Sequence, residues 1–151
     1  MTVHPHRAPA TATANSLDFL LTGLVQQVTG VRFAVVVSED GLVVSKSAAF
    51  PRPEAERLAA TVSGLMSLGR GVCADFDGGG VVQSLLEMRR GFLILTSAGA
   101  GAHLAVLTES QADVGVVAFE MNMLVKKVGE HLSAAPRAEL SPPPGLRGFQ
   151  Q

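Results

Sequence analysis

The sequence lacks tyrosine and tryptophan, contains a single cysteine and carries few charges. Of its 151 residues, 17% are charged and 47% are hydrophobic, and the formal net charge is -1. Nucleic-acid binding is disfavoured, because contacts with phosphates need clustered cations and contacts with bases use aromatic stacking. Cys73 alone excludes a disulfide within the chain and a cysteine-rich metal site. We expect it to be a small buried hydrophobe.

Long apolar runs are also missing. No uncharged run approaches the ~18 residues of a membrane span, and residues 1–15 lack the hydrophobic centre of a signal peptide. A cytoplasmic protein without direct membrane insertion is therefore expected. Its length favours one domain. Residues 1–15 and the proline-rich segment 134–151 offer too little apolar surface to offset the entropy of ordering, which predicts disordered tails around a domain at 16–133.

Hydrophobic periodicity predicts three helices and five strands. Hairpin-length turns imply an antiparallel sheet, and strands that are apolar on both faces need cover on both sides. An α/β/α three-layer sandwich follows. Asp18 is expected in the first turn of the first helix, where it favours the helix dipole. The predicted order is a helix from Asn15 or Ser16 to Gly30, strands 31–37 and 42–46, a helix from Pro53 to about Cys73, strands 81–89, 92–97 and 102–108, and a helix from about Gln111 to Leu132.

The sequence offers little local chemistry. The glycines at 78–80 lead into a strand with no following lysine, whereas a phosphate-binding loop leads into a helix. The histidines lack metal-ligand spacing, and no serine has the context of a nucleophile elbow. We therefore expect a protein that is not an enzyme and that holds neither metal nor cofactor.

The second predicted helix has two different sides. One is assigned to the sheet and comprises Ala55, Leu58, Val62, Leu65, Met66, Gly69 and Cys73. The opposite side is made of small residues, namely Ala60, Ser63, Gly64, Ser67 and Gly71. A solvated helix face normally carries charges, but none occurs between Arg57 and Arg70. Glycine inside a helix also costs about 1 kcal/mol relative to alanine. A plain solvent face stays open as an alternative, but we favour a surface that another helix or protein approaches closely.

The strand at 81–89 points to the same interpretation. Its residues Val82, Ser84, Leu86 and Met88 share one face, and its first six residues lack the lysine, proline or bulge that usually protects an edge strand. As an edge it invites pairing with a second copy around a two-fold axis; as an inner strand it needs no protection. In the third helix, Val116, Phe119 and Met123 lie away from the main stripe, and we expect them to pack against the first helix near Phe19.

The chain resembles the roadblock/dynein light chain family, in its bacterial branch found in actinobacteria. The resemblance extends over residues 17–132 and depends on the order and spacing of several short motifs. They are GVR at 30–32 followed by VVVSEDGLVV at 35–44, AERLAA at 55–60, SGL at 63–65, EMRRGFL at 87–93, LAVL at 104–107, ADVG at 112–115 and FEM at 119–121.

This resemblance implies a profilin-like fold. Its antiparallel five-stranded sheet has the order 2-1-5-4-3, with helices 1 and 3 on one face and helix 2 on the other. It also implies homodimers in which the third strands pair and the second helices lie side by side. The corresponding interface residues here are Val82, Ser84, Leu86, Met88, Ala60, Gly64 and Ser67.

Members of the family look like non-enzymatic platforms and regulators of small Ras-like GTPases, and a gliding-motility relative accelerates GTP hydrolysis by its partner. The resemblance therefore implies a GTPase-facing surface on the second helix, formed by Arg57, Ser63, Leu68, Arg70 and Gly71. Actinobacterial relatives sit in operons with a GTPase and a sensor-kinase-like protein, which adds the latter as a candidate partner. No arginine-finger motif is transferable, so stimulation of hydrolysis stays open. The alternatives are a small-molecule sensor domain of the PAS or GAF type and, least favoured, an enzyme.

Overall fold

The computed structural model describes residues 7–140, with side chains for residues 16–133. Its elements follow the predicted order of one helix, two strands, a second helix, three strands and a third helix. They are α1 (Arg7–Gln27), β1 (Val31–Ser38), β2 (Val43–Lys46), α2 (Arg52–Phe76), β3 (Gln83–Met88), β4 (Gly91–Ser97), β5 (Ala102–Glu109) and α3 (Val114–Leu140).

The five strands form one antiparallel sheet in the order β2-β1-β5-β4-β3. This confirms the predicted order. The chain passes through α2 from β2 at one edge to β3 at the other. The strand predicted at 81–89 is therefore an edge strand, and the alternative of an enclosed inner strand is excluded.

The side chains of β1 alternate between two hydrophobic cores, because successive residues of a strand point to opposite faces. Ala34 and Val36 join α1 and α3 in one core, whereas Val35 and Val37 pack with α2 in the other. All four are fully buried. Helices α1 and α3 thus cover one face of the sheet and α2 covers the other, which confirms the predicted three-layer sandwich.

The start of α1 differs from the prediction. The helix begins at Arg7 rather than at Asn15 or Ser16, so Asp18 lies inside it and not in its first turn. The segment before the predicted cap is rich in alanine, the strongest helix former, which favours continuing the helix. Asp18 instead faces β2. Its Oδ1 accepts hydrogen bonds from the Ser45 hydroxyl and, at 3.1 Å, from the backbone N–H of the following residue.

Helices α2 and α3 also continue beyond their predicted ends. The last helical residue of α2 is Phe76, and Asp77 closes the helix in the left-handed conformation with a φ of 56°. The last residue of α3 is Leu140. Helical backbone thus extends into both segments predicted as tails, 1–15 and 134–151, and the division of the chain into tails and domain stays a prediction.

The apolar residues of α3 outside its main stripe do not pack against α1 as the sequence suggests. Phe119 is 61% exposed, Phe19 is 78% exposed, and Val116 and Met123 are each 49% exposed. The main stripes of the two helices form the core between them. The remaining apolar side chains stay exposed, and Phe19 and Met123 line an open groove between α1 and α3.

Candidate interaction surface

Helix α2 packs one side on the sheet and leaves the remainder open. Its buried residues are Ala55, Ala59, Val62 and Met66. The predicted sheet side includes all of these except Ala59. The other residues predicted there, Leu58, Leu65, Gly69 and Cys73, are half-buried at the margins of the contact. Cys73 is therefore not the buried thiol that the sequence suggests.

The outer face of α2 is bare in the chain as described. Ala60, Gly64, Ser67 and Gly71 are exposed, as predicted for the side opposite the sheet. A Cβ atom added at Gly64 would meet no other heavy atom within 4 Å. Neither packing within the chain nor a positive φ thus requires glycine there. An external contact, as predicted from the sequence, would account for glycine at this position.

Ser63 is the exception among the predicted small residues of this face. It is half-buried, and its hydroxyl donates a hydrogen bond of 3.0 Å to the carbonyl oxygen of Glu39 in the β1–β2 turn. Gly41 of the same turn, with a φ of 86°, comes so close that an added Cβ would lie 3.3 Å from the Ser63 Cβ. Ser63 therefore attaches the middle of α2 to the hairpin.

The second half of α2 also carries large exposed side chains. Leu68 is 72% exposed, Val72 60% and Phe76 79%. They recur at every fourth residue and so share one side of the helix. Of these three residues only Leu68 is predicted from the sequence to contact a partner, although the same spacing identifies Val72 and Phe76. The outer face is thus small and neutral in its middle and apolar towards Phe76.

The edge strand β3 adds exposed apolar surface on the α2 side of the sheet. Leu86 pairs with Leu93 and Ser84 pairs with Leu95, and both of these β4 leucines belong to the core beneath α2. Directly opposed residues of an antiparallel pair point to the same face. Leu86, which is 46% exposed, therefore lies on the α2 side. Also predicted for this face are Met88 and Val82, which are 41% and 78% exposed.

The two edges of the sheet differ in protection. Strand β2 is only four residues long and ends in a lysine, and its pairing with β1 shifts register between Val36 and Val37. Strand β3 pairs with β4 in an unbroken register from Gln83 to Met88. Short length, lysine and irregular pairing all discourage further pairing. Among the described residues β3 pairs with no other strand, so it is the edge open to a further one.

A histidine lies buried on the α2 side of the sheet. His103 is 6% exposed, and neither ring nitrogen has a hydrogen-bond partner among the described residues. It pairs with Val37 on one side and Ser97 on the other. Burial lowers the pKa of His103, as does the positive charge of Arg70, and the carboxylate of Glu39 opposes them by raising it. No role for His103 is predicted from the sequence, because burial of a strand histidine depends on the helix that covers the strand.

The described residues contain no group of three or more histidine, cysteine or acidic side chains placed to hold a metal ion. The glycines at 78–80 follow the end of α2, and the Gly78 N–H donates a 2.8 Å hydrogen bond back to the Cys73 carbonyl oxygen. Within residues 7–140, no helix has the length and hydropathy needed to cross a bilayer.

A comparison with known protein families identifies the family of this chain. Residues 17–108, more than half of the chain, match the family model of the Roadblock/LC7 domain. The chain belongs to the roadblock/LC7 family. Roadblock domains are regulatory or adaptor domains rather than classical enzymes. Membership also decides between the two predicted kinds of fold, in favour of a roadblock domain over a PAS or GAF domain.

Solved structures of other roadblock domains are similar to this chain. One Roadblock/LC7 domain from Streptomyces avermitilis is 63% identical with a TM-score of 0.62, covering 74% of this chain and 96% of that one. A second from the same organism is 44% identical with a TM-score of 0.73, covering 77% and 97%. The gliding protein MglB of Thermus thermophilus is 17% identical with a TM-score of 0.71, covering 80% and 90%, which is a likeness of fold alone. The Streptomyces domains confirm the predicted actinobacterial branch.

Proposed function

We propose that this roadblock protein is a homodimeric adaptor that binds a small Ras-like GTPase in the cytoplasm. The observation that carries the proposal is the open edge of β3, which exposes Leu86 and Met88 on the same side of the sheet as the bare face of α2. An unprotected edge pairs readily with another strand, and pairing two identical edges closes the assembly with two-fold symmetry. The resemblance to GTPase platforms supplies the class of partner.

In this dimer the two β3 strands pair and the sheet continues into the second subunit. The two α2 helices then lie side by side on the same face, where small side chains let their backbones approach closely. Gly64 has open space above it in the single chain, which leaves room for the second helix. The contact residues are Ser84, Leu86 and Met88 from β3 with Val82 immediately before it, and Ala60, Gly64 and Ser67 from α2.

The GTPase binds the outer face of the paired α2 helices. Arg57 and Arg70 frame the uncharged stretch and supply its charged contacts, while Leu68 and Gly71 supply apolar surface next to Arg70. Ser63 contributes indirectly, because its hydrogen bond to the β1–β2 hairpin fixes the position of α2. A sensor-kinase-like protein is the second candidate partner. Stimulation of GTP hydrolysis is a separate property for which the purified complex can be assayed.

The experiment combines oligomeric state with partner capture. Light scattering at micromolar concentration is expected to give the mass of a dimer. Tagged protein incubated with the native cytoplasmic extract, in the presence of GTP or GDP, is expected to retain a small Ras-like GTPase identified by mass spectrometry, more strongly with one nucleotide than with the other. The purified GTPase is then tested for direct binding.

A matched pair of variants controls the capture. Leu68→Asp places a charge on the proposed GTPase surface, and Leu42→Asp places the same charge on an exposed leucine of the β1–β2 hairpin. Only the first is expected to lose the GTPase. A monomeric protein, or equal capture by both variants, contradicts the proposal.

A further inference from the structure

A second apolar surface lies on the opposite layer, between α1 and α3. A groove of about 230 Å³ runs between these helices. Phe19 and Gly23 line its α1 side, and Glu120, Met123 and Lys127 line its α3 side. The groove is separated from the proposed dimer and GTPase surfaces by the whole thickness of the sheet.

The groove has the form of a socket for a large side chain. Phe19, Gly23 and Gln27 follow one another at intervals of four residues, so they form a row along α1. A Cβ added at Gly23 would meet no heavy atom within 4 Å, and this leaves a gap in that row. Phe19 stands beside the gap and Met123 lines the opposite wall, both largely exposed to water. An aromatic side chain seated at Gly23 would cover both.

We infer that residues 146–149 of this same chain fold back into the groove, with Leu146 and Phe149 as anchors. The three prolines at 142–144 follow the last residue of α3. Three consecutive prolines remove three successive backbone donors, so we expect the helix not to continue through them. Prolines favour the polyproline II conformation, which has three residues per turn. In an extended segment with this period, Leu146 and Phe149, three residues apart, would project from the same side.

The length of the segment fits this docking. Seventeen residues of α3 separate Met123 from Leu140, which is about 26 Å at 1.5 Å per residue. Nine residues separate Leu140 from Phe149, and an extended chain of that length spans about 30 Å. Phe149 therefore reaches the socket, with little slack. The tether makes this binding intramolecular, which favours the segment over separate molecules, although a nearly extended linker lowers the effective concentration.

The groove is lined by one charge of each sign, Glu120 and Lys127, so charge bears on the orientation of the segment rather than on its choice. Arg147 lies between the two anchors, and Glu120 stands at the rim of the groove. An ion pair at such an exposed site contributes little affinity, about 0.2–1 kcal/mol, but it favours one orientation of the segment. Binding is therefore driven mainly by the burial of Phe149 and Leu146 against Phe19 and Met123.

Disulfide trapping in the full chain tests the inference. In a Cys73→Ser background, Gly23→Cys is combined with Gln150→Cys, which leaves Phe149 in place. The control combines Asn122→Cys with Gln150→Cys, because Asn122 is exposed on α3 beside Met123 but does not line the groove. Under mild oxidation the Gly23 pair is expected to close within one chain at least ~10-fold faster than the Asn122 pair, as a local concentration effect.

Adding Phe149→Ser to the Gly23 pair is expected to remove this difference, and Gln151→Ser is expected to keep it. Equal rates for the Gly23 and Asn122 pairs overturn the inference. Disulfides formed between two chains rather than within one also overturn it, and they assign the groove to a second copy. A separate readout is the methyl signal of Met123 by NMR, which the Phe149 ring shifts when it is bound. No change of that signal in Phe149→Ser contradicts the inference independently.

Discussion

Leu86 of the edge strand lies directly opposite Leu93 of β4, yet Leu93 is 3% exposed and Leu86 is 46% exposed. The apolar stripe that begins in the core beneath α2 thus continues to the open edge of the sheet. Burying the exposed half of Leu86 contributes roughly 1 kcal/mol per subunit, as part of the 1.5–3 kcal/mol for a fully buried leucine. The proposed dimer depends on this continuation.

Leu86→Lys is the first test of that dependence. Two lysines brought together on paired edges repel each other, and lysine is a common protection of edge strands. We expect the variant to be a monomer by light scattering while keeping its helical circular dichroism. Leu42→Lys is the matched control, because Leu42 is 63% exposed near the opposite edge of the sheet. A Leu86→Lys protein that stays dimeric removes β3 from the interface.

Two substitutions at Gly64 are expected to affect the stability of the single chain and its dimerisation differently. Its added Cβ meets nothing within 4 Å, so Gly64→Ala is expected to raise the free energy of unfolding of the single chain by about 1 kcal/mol, through higher helix propensity. Gly64→Leu keeps the helix but fills the space into which the second α2 packs, and we expect self-association to weaken at least ~10-fold, or about 1.4 kcal/mol.

The matched glycine is Gly23, which has equally open surroundings on the other layer. Gly23→Leu is expected to leave the dimer dissociation constant unchanged. Equal effects of the two leucine variants, measured by analytical ultracentrifugation, would show that Gly64 is an ordinary solvent-facing glycine. That result supports the plain solvent face left open by the sequence.

Short-range patterns in the sequence are sufficient for most of the fold. The run of valines at 35–37 identifies β1, and the glycine at position 41 of the hairpin adopts the positive φ of 86° that its turn requires. The sheet order depends on family resemblance, because local pattern does not say which strands become neighbours. The edge position of β3 follows from that order, and so does the exposure of Leu86.

The errors arise where a residue's role depends on a distant segment. Asp18 has the pattern of a helix-start residue, but its acceptor oxygen serves donors on β2. Ser63 has the pattern of a bare face, but its hydroxyl bonds to the hairpin turn. Phe119 has the spacing of a second apolar stripe, and spacing alone does not tell whether another element covers that stripe. His103 has no predicted role for the same reason.

Substitutions at Asp18 test how much the contact between α1 and β2 contributes to stability. Its carboxylate accepts from the Ser45 hydroxyl and from a backbone N–H. Asp18→Ala leaves both partly buried donors without this acceptor, and we expect a loss of about 1–3 kcal/mol in the free energy of unfolding. Asp18→Asn retains an oxygen in the same place and should lose clearly less. Urea titrations that give equal, small losses for both variants contradict this account.

His103 predicts a pH dependence of stability. Burial, assisted by Arg70, lowers its pKa in the folded protein below the ordinary value of 6.5, while Glu39 opposes the shift. As pH falls through 6.5, the unfolded chain therefore binds a proton that the folded protein resists. Stability is fully present above this pH and is lost as pH falls, until His103 protonates in the folded state as well. The loss is about 1.4 kcal/mol for each unit by which the folded pKa is lowered.

His103→Phe removes the titrating ring while keeping an aromatic side chain of similar size. Urea unfolding from pH 7.5 to pH 5 should show a smaller loss of stability for this variant than for the parent protein. Ser97→Ala, at the neighbouring position on β4, keeps the histidine and should keep the parent's slope. Because acidic groups titrate in all three proteins, the informative quantity is the difference between their curves. Parallel curves for His103→Phe and the parent mean that the imidazole titrates equally in the folded and unfolded chains, and then the buried site is open to water.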